Sequence, residues 1–313
     1  MSSWRILLTD GLQPAGKEIL RPEAALDDKK GISAEDLLAI ISEYNAVIVR
    51  GRTKITDKVL KEGSKLKVIG RCGVGVDNID LQAAKENEIT VVNAPEATTI
   101  SVAEFTMGFI FSLAREIPRA DAGMKKGEWL KKSLIGIEID KKFLGIIGYG
   151  RIGSTVGKMA VSAGMRIKPF DPFLTPESSW VNGGELLPFD EVIEKPDFIT
   201  VHTPLTETTR NLIDGEAISK MKDGVFIICV ARGGIIDENA LLDGLNSGKV
   251  AGAALDVYVN EPPINRELID HPKVIATPHI GGQTADAQKQ ASIDIASEVL
   301  RALKGENLQW RII

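Results

Sequence analysis

Three polar residues in the last third of the chain, Arg232, Glu261 and His279, could together carry out acid–base chemistry on a small carboxylate. Moving a hydride from the carbon of an alcohol while its proton leaves the oxygen requires a base that titrates near neutral pH, and imidazole meets this requirement. A carboxylate beside the imidazole would orient it and stabilise its cationic form. A guanidinium group can hold a substrate carboxylate through two parallel hydrogen bonds.

Each candidate follows an apolar run that predicts a buried strand, and these runs end at Val230, Val257 and Ala276. Ligands of open α/β sheets bind at the carboxyl ends of the strands, so these positions are suited to a site. Because Glu261 and His279 lie 18 residues apart, only the fold could bring them together. The residues alone leave an alternative open, in which the histidine is a satisfied loop residue and the other two candidates are surface charges.

A glycine-rich stretch near the middle of the chain predicts a dinucleotide-binding turn. The apolar run Phe143–Ile147 is followed by Gly148, Gly150 and Gly153 at G-x-G-x-x-G spacing, and then by a helical pattern. In this arrangement the first glycine makes the tight turn, the second lets the backbone approach a pyrophosphate, and the third lets the helix pack closely on the strand. The N-terminus of the helix offers N–H groups and a positive dipole end to the phosphates.

Asp171 ends the next predicted strand, 18 residues after Gly153, and could accept hydrogen bonds from both hydroxyls of a ribose. Its carboxylate would repel a 2′-phosphate, and the adjacent Pro172 and Phe173 supply no guanidinium, so we expect NAD rather than NADP. A purely structural glycine turn is the alternative. The order strand, glycines, helix, second strand and acid favours dinucleotide binding.

The composition is that of a globular protein of two moderate domains, with 313 residues, 43% hydrophobic and 26% charged. A net charge of -5 without a basic tail argues against nucleic-acid binding. Cys72 and Cys229 lie in apolar runs and are expected to be buried, reduced thiols, and the three histidines have no metal-ligand spacing, so we expect no metal. The chain opens on a predicted strand rather than a signal peptide and has no membrane-spanning run, so we expect a cytoplasmic protein.

Strands and helices alternate along the chain and predict an α/β fold with two doubly wound parallel-sheet domains, Rossmann-like or flavodoxin-like. The final helix, at about 285–303, follows the last strand of the second domain, and we expect it to pack on the first. The NAD-binding domain would then span 98–283 and be inserted into a substrate-binding domain formed by 1–97 and 284–313.

Some elements are predicted in more detail. Ser33 and Asp36 indicate a capping box that opens a helix to about Tyr44. An apolar helix at about 100–115 is expected to be buried in a core or a subunit contact. An amphipathic stretch follows at 117–129, and the segment 309–313 could pair as a short edge strand.

The motifs resemble those of the D-isomer-specific 2-hydroxyacid dehydrogenases, in family order and over nearly the whole chain. Besides the glycine motif, the matching segments are Val201-His202-Thr203-Pro204-Leu205-Thr206, Ala231-Arg232-Gly233-Gly234-Ile235-Ile236-Asp237, Ala254-Leu255-Asp256-Val257, Glu261-Pro262-Pro263 and Pro278-His279-Ile280-Gly281. The chain departs from the family at Ala97-Thr98, where a Gly-Asn pair is common, and at Gly282-Gln283, where Ala-Ser is common. Hinges are expected near 97–98 and 283–284.

The resemblance implies specific roles. His279 would be the acid/base, Glu261 its partner and Arg232 the clamp on the substrate carboxylate. The residues implied to bind NAD are Val74, Gly148, Gly150, Arg151, Ile152, Gly153, Asp171, Thr203, Val230, Asp256, His279, Gly281 and Gly282. The resemblance also implies a homodimer, possibly paired into a tetramer.

The loop from Arg71 to Asp80 resembles that of family members that oxidise 3-phosphoglycerate to 3-phosphohydroxypyruvate, the first step of serine synthesis. The backbone amides of Gly73, Val74 and Gly75 would hold the substrate carboxylate together with the arginine clamp. The chain ends ten residues after its last predicted helix, so we expect no regulatory domain of the kind many relatives carry.

A phosphorylated substrate would need a basic site, and Arg50, Arg52 and Lys54 lie at the end of a strand of the first domain that is predicted over 46–50. Arg52 and Lys54 would share one side if that strand continued. A solvated basic loop is the alternative. The other functions left open are a glyoxylate or hydroxypyruvate reductase, another D-2-hydroxyacid dehydrogenase, and a non-enzymatic NAD-sensing protein that resembles the corepressors of this superfamily.

Overall fold

A computed structural model describes residues 4–175 and 185–313 of the chain. The chain divides into two compact units, one formed by Met1–Thr98 with Gln283–Ile313 and the other by Thr99–Gly282. Each unit contains one sheet whose paired strands are parallel. The two parallel α/β sheets confirm the fold class predicted from the sequence.

The described part of the chain contains the following elements. The strands are β1 Trp4–Leu8, β2 Ala24–Asp28, β3 Ala46–Val49, β4 Val68–Arg71, β5 Thr90–Asn93, β6 Phe143–Ile147, β7 Arg166–Phe170, β8 Phe198–Val201, β9 Val225–Cys229, β10 Val250–Leu255 and β11 Val274–Ala276. The helices are α1 Pro14–Leu20, α2 Ala34–Ile40, α3 Asp57–Glu62, α4 Leu81–Glu86, α5 Thr99–Arg115, α6 Ile117–Lys125, α7 Arg151–Ser162, α8 Phe189–Glu194, α9 Gly215–Lys220, α10 Glu238–Ser247, α11 Arg266–Ile269 and α12 Ala285–Lys304.

In the first unit the strand order is β2-β1-β3-β4-β5. The central strand β3 is apolar and fully buried because helices cover the sheet, as parallel sheets require. The last helix, α12, packs closely here: a Cβ atom added at Gly70 in β4 would lie 2.6 Å from a methyl group of Val299. This contact shows why β4 carries a glycine at a position where a helix approaches the sheet.

In the second unit the strand order is β11-β10-β9-β8-β6-β7. Helix α5 supplies Val102, Phe109, Ile110 and Leu113 to its buried core, as its apolar sequence predicted. The same helix leaves Phe111 exposed.

Two predicted helices are shorter than expected. Ser33 caps α2 by accepting the N–H of Asp36 at 3.0 Å, as predicted, but the helix ends at Ile40 and tightens into a 3₁₀ turn before β3 begins. The amphipathic helix predicted over 117–129 ends at Lys125, because Gly127 turns the chain away with a φ of 79°.

The C-terminal segment does not form the edge strand that the sequence suggested. It makes a single antiparallel bridge, between Arg311 and Val92. The buried carboxylate of Glu298 on α12 accepts the N–H groups of Gln309 and Trp310 at 2.9 and 3.0 Å. The side chain of Glu298 thus accepts two backbone N–H groups that would pair with a neighbouring strand if the segment formed an edge strand.

Candidate active site

The glycine motif forms a tight turn between β6 and α7. Gly148 has a φ of 89°, and a Cβ atom there would lie 2.8 Å from the carbonyl carbon of His202. A Cβ atom on Gly153 would lie 2.0 Å from the carbonyl oxygen of Gly148. Both positions therefore require glycine, as the spacing predicted.

Gly150 has a different role, because a Cβ atom at this position would meet no atom within 4 Å. It is the N-cap of α7, and no side chain caps the helix there. Nearby, the buried hydroxyl of Thr203 has no hydrogen-bond partner among the described residues. An open, uncapped helix N-terminus beside an unpaired buried donor fits a pyrophosphate-containing cofactor.

Asp171 lies directly after β7, and backbone hydrogen bonds hold its carboxylate in place. Its Oδ2 atom accepts the N–H of Tyr149 and its Oδ1 atom the N–H of Phe173, both at 2.9 Å. Each oxygen keeps a further lone pair, so the group can still accept hydrogen bonds from ribose hydroxyls. This arrangement fits the role that the sequence predicted.

The structure brings Glu261 and His279 into contact. Nδ1 of His279 lies 2.8 Å from Oε2 of Glu261, and the other carboxylate oxygen accepts the N–H of Tyr258 at 3.3 Å. An ionised carboxylate only accepts hydrogen bonds, so Nδ1 carries the proton and Nε2 of a neutral imidazole is left as the base. The side chains are 49% and 40% exposed, which leaves the pair accessible to a substrate.

Asp256 fixes the backbone on both sides of His279, which has a left-handed φ of 56°. Asp256 is 1% exposed, and its carboxylate accepts the hydroxyl of Thr277 at 2.6 Å and the N–H groups of Ile280 and Gly281 at 2.8 and 2.7 Å. These bonds hold the strained conformation in place. The resemblance implied that Asp256 binds NAD, and the structure shows that Asp256 helps to position the histidine.

Arg232 follows β9, and its Nη1 atom donates to the carbonyl of Ala231 at 2.6 Å. The next residue packs against the segment that carries Glu261: a Cβ atom on Gly233 would lie 1.9 Å from the carbonyl oxygen of Tyr258. Val230, between the strand and this loop, is buried in the core of the unit. The three catalytic candidates thus lie on loops at the carboxyl ends of β9, β10 and β11.

In the first unit, the predicted substrate loop follows β4. The carbonyl of Gly73 accepts the N–H of Ala94 at 3.0 Å, and the carbonyl of Val74 accepts the side-chain amide of Asn93 at 2.7 Å. The loop is therefore anchored through its carbonyl groups. Asn93, which the sequence did not single out, supplies one of the two anchors.

The basic segment that follows β3 differs from the prediction. The strand ends at Val49, so the argument that Arg52 and Lys54 share one side of a strand is wrong. The guanidinium of Arg52 donates to the carboxylate of Asp10 and to the carbonyls of Thr9 and Ile32, each at 3.1 Å. Most of its hydrogen-bonding capacity is therefore used inside the unit.

Arg50 differs from Arg52 in the hydrogen bonds of its guanidinium. Its backbone N–H donates to Asp10 at 2.7 Å, but its guanidinium makes no hydrogen bond or ion pair with any other described residue. Asp10 was not singled out from the sequence, yet its carboxylate also accepts the hydroxyl of Thr53 at 2.7 Å and organises this segment. Its position after β1, the strand beside β3, is the signal that could have identified it.

The surroundings of His202 and of the two cysteines indicate structural roles for these residues. Burial lowers the pKa of His202 to about 3, and its Nε2 atom lies 3.0 Å from the hydroxyl of Thr200. Cys72 and Cys229 are buried and unpaired. Within 4–175 and 185–313, no group of three or more acidic, histidine or cysteine side chains could hold a metal ion, and no helix is long and apolar enough to cross a membrane.

Comparison with known proteins identifies the family. Residues 107–281 match the sequence profile "D-isomer specific 2-hydroxyacid dehydrogenase, NAD binding domain". The chain belongs to the D-isomer specific 2-hydroxyacid dehydrogenase family. Since the matched part is the NAD-binding domain of that family and the uncapped turn fits a dinucleotide, the cofactor is NAD.

Curated relatives match almost the whole chain. The chain is 44% identical over 305 residues to D-3-phosphoglycerate dehydrogenase of Sus scrofa, 46% over 303 residues to that of Methanocaldococcus jannaschii, and 45% over 304 residues to that of Bacillus subtilis. The alignments cover 97%, 96% and 96% of this chain but 57%, 58% and 57% of the relatives. The chain thus spans a little over half the length of these proteins.

Solved structures of the family have the same fold. A glyoxylate reductase from Paecilomyes thermophila is 30% identical and superposes with a TM-score of 0.92 over 100% of this chain and 99% of its own. TP0037 from Treponema pallidum, a D-lactate dehydrogenase, is 26% identical, with a TM-score of 0.83 over 99% of both chains.

Proposed function

We propose that this protein oxidises 3-phosphoglycerate to 3-phosphohydroxypyruvate with NAD, the first step of serine biosynthesis. The observation that carries the proposal is the hydrogen bond between His279 and Glu261. It is found in a chain that is 44–46% identical to proteins named D-3-phosphoglycerate dehydrogenase.

In the proposed reaction, Nε2 of His279 accepts the proton of the substrate hydroxyl. Glu261 holds the imidazole through Nδ1 and stabilises the positive charge that forms on the ring. Arg232 binds the substrate carboxylate and orients the reacting carbon. NAD, when bound, supplies the acceptor for the hydride.

The residues proposed to hold the cofactor lie at the glycine turn and the neighbouring strand ends. Gly150 and the first N–H groups of α7 would hold the pyrophosphate, beside Arg151 and Ile152, and Asp171 would bind the adenosine ribose. The residues proposed for the nicotinamide side are Thr203, Val230 and Asp256, and the further residues proposed to contact the cofactor are Val74, Gly281 and Gly282. The unit Thr99–Gly282 would thus be the NAD-binding domain and the other unit the substrate-binding domain.

On the substrate side, the N–H groups of Val74 and Gly75 are proposed to bind the carboxylate, whereas the N–H of Gly73 already donates to the carbonyl of Arg71 at 2.8 Å. Anchoring of the loop through its carbonyls supports this role. We propose Arg50 as the main ligand of the phosphate, because its guanidinium is uncommitted among the described residues whereas Arg52 is occupied by Asp10 and two carbonyls.

A second candidate is the reduction of glyoxylate or hydroxypyruvate. It is supported by the likeness to the glyoxylate reductase, which extends over 99% of that protein's length. This reaction would use the same His279, Glu261 and Arg232 in the reverse direction. It differs in needing no phosphate ligand.

We also propose a homodimer in the cytoplasm. The exposed apolar side chains of Phe111 on α5, of Ile117 and Met124 on α6, and of Trp129 beyond it support a subunit contact. Two buried, unpaired cysteines support a reducing compartment.

The proposal is tested by following NADH in a coupled assay with 3-phosphoglycerate, D-glycerate and D-lactate as substrates for oxidation, and with glyoxylate for reduction. We expect kcat/KM for 3-phosphoglycerate to exceed that for D-glycerate by at least about tenfold, because the phosphate adds a charged contact. Turnover of the unphosphorylated acids alone would favour the second candidate. Tight NAD binding without any turnover would indicate an NAD-sensing protein.

A further inference from the structure

Tyr258 occupies a central place among the loops of the candidate site. It lies three residues after the end of β10 and three residues before Glu261, and the residue is 6% exposed. Its backbone N–H donates to Oε1 of Glu261 at 3.3 Å. Its backbone also packs against Gly233, the residue that follows Arg232.

The phenol group reaches the segment that carries the histidine. The hydroxyl of Tyr258 lies 2.9 Å from the carbonyl oxygen of Thr277 and 3.0 Å from that of Leu255. Both oxygens are acceptors, so the single proton of the hydroxyl is shared between them. One side chain thus joins the end of β10 to the residue two positions before His279.

We propose that Tyr258 is a positioning residue for the acid–base pair, in which the hydroxyl fixes the His279 segment and the backbone N–H of the same residue fixes Glu261. The kinetic part of this proposal rests on the proposed function. The geometric part concerns only how the imidazole is held.

The hydroxyl is suited to this task at every pH at which the protein would work. Burial raises the pKa of Tyr258 to about 12, so the hydroxyl keeps its proton and remains a donor. Asp256 holds the same segment through Thr277, Ile280 and Gly281. Removing the tyrosine hydroxyl therefore loosens the segment without releasing it.

A single hydroxyl is removed in Tyr258→Phe, which keeps the ring and the backbone N–H. The matched control is Tyr44→Phe in the first unit, where the hydroxyl of a buried tyrosine donates to Asp27 at 2.8 Å. We expect Tyr258→Phe to lower kcat about tenfold, since a misplaced base acts less efficiently. The KM for NAD should stay within about twofold of the unchanged protein, because no proposed cofactor contact is removed.

A second measurement is independent of the substrate. In protein labelled with ¹⁵N-histidine, long-range proton–nitrogen spectra report the tautomer of each neutral ring at about pH 8.5, above the ordinary pKa of histidine. The chain has three histidines, and a His279→Asn variant assigns the signal. We expect His279 to be the Nδ1–H tautomer in the unchanged protein and in Tyr44→Phe, and a mixture of tautomers in Tyr258→Phe.

An unchanged tautomer in Tyr258→Phe, or a kcat within twofold of that of Tyr44→Phe, would overturn the proposal. Failure of the proposed function has a different signature. The unchanged protein would then not turn over 3-phosphoglycerate, while the tautomer spectra would still decide whether Tyr258 positions the pair.

Discussion

Nδ1 of His279 lies 2.8 Å from Oε2 of Glu261, although 18 residues separate them in the chain. The contact exists because β10 and β11 are parallel neighbours whose carboxyl ends lie at the same edge of the sheet. It places an imidazole with a defined tautomer at the position where α/β proteins bind their ligands. The proposed reaction depends on this pair.

We expect Glu261→Gln to lower kcat/KM by about a hundredfold, because the neutral amide no longer stabilises the imidazolium. Binding of NADH, measured by fluorescence titration, should not change. Glu238→Gln is the control: Oε1 of Glu238 accepts the N–H of Val259 at 2.9 Å, and an amide oxygen can accept it equally well. Equal losses in the two variants would mean that the charge of Glu261 has no special role.

The proposed phosphate site distinguishes two neighbouring arginines. We expect Arg50→Ala to raise the KM for 3-phosphoglycerate about tenfold or more while the KM for D-glycerate changes little. Arg52→Ala should instead lower the free energy of unfolding, because it removes the partner of Asp10 and of two carbonyls. Steady-state kinetics and urea unfolding of both variants separate the roles, and an equal KM change for both substrates in Arg50→Ala would refute the phosphate role.

Removing the hydroxyl should change the free energy of unfolding in opposite directions at two buried tyrosines. The hydroxyl of Tyr149 is buried without a hydrogen-bond partner in the part of the chain that the structure describes, so Tyr149→Phe should raise the free energy of unfolding by about 1 kcal/mol. Tyr44→Phe removes a bond to Asp27, whose side chain is partly exposed, and should lower it by about 1 kcal/mol. Urea unfolding measures both, and a destabilised Tyr149→Phe would indicate that its hydroxyl has a partner after all.

The decrease in the free energy of unfolding that Tyr44→Phe causes should depend on pH. The Tyr44 hydroxyl, together with Arg5, holds the pKa of Asp27 below its ordinary value of 3.8. Because the pKa is lower in the folded state, this contribution is present above about pH 4 and is lost as the pH falls through the folded value. The difference between the variant and the unchanged protein should therefore be smaller in unfolding curves at about pH 3 than at pH 7. A constant difference would contradict this assignment.

The sequence was sufficient to predict features that depend on residues close together in the chain. Gly148 and Gly153 could be placed because the turn itself requires them: Gly148 has a φ of 89°, and a Cβ atom on Gly153 would lie 2.0 Å from the carbonyl oxygen of Gly148. The cap at Ser33 could be predicted for the same reason, since its bond spans three residues. Segments that depend on distant partners were harder: β2 was not predicted, because Ala24–Asp28 is a partly exposed edge strand that carries two aspartates.

In the candidate site, too, residue types could be predicted from the sequence, whereas contacts between distant residues could not. The residue types of Arg232, Glu261 and His279 indicated the chemistry, but their contacts depend on how the parallel strands pair. Tyr258 and Asp10 were not recognised because their hydrogen bonds reach across 19 and 42 residues, to Thr277 and Arg52. No short motif specifies bonds of that range.

The most direct test follows NADH absorbance after 3-phosphoglycerate and NAD are mixed with the unchanged protein and with His279→Asn. We expect NADH formation by the unchanged protein and at least about a hundredfold lower kcat in the variant, because the base is lost. NAD binding should remain within about threefold, since the pyrophosphate and ribose contacts lie at Gly150 and Asp171. Comparable turnover by both proteins would contradict the assignment of His279 as the acid–base group.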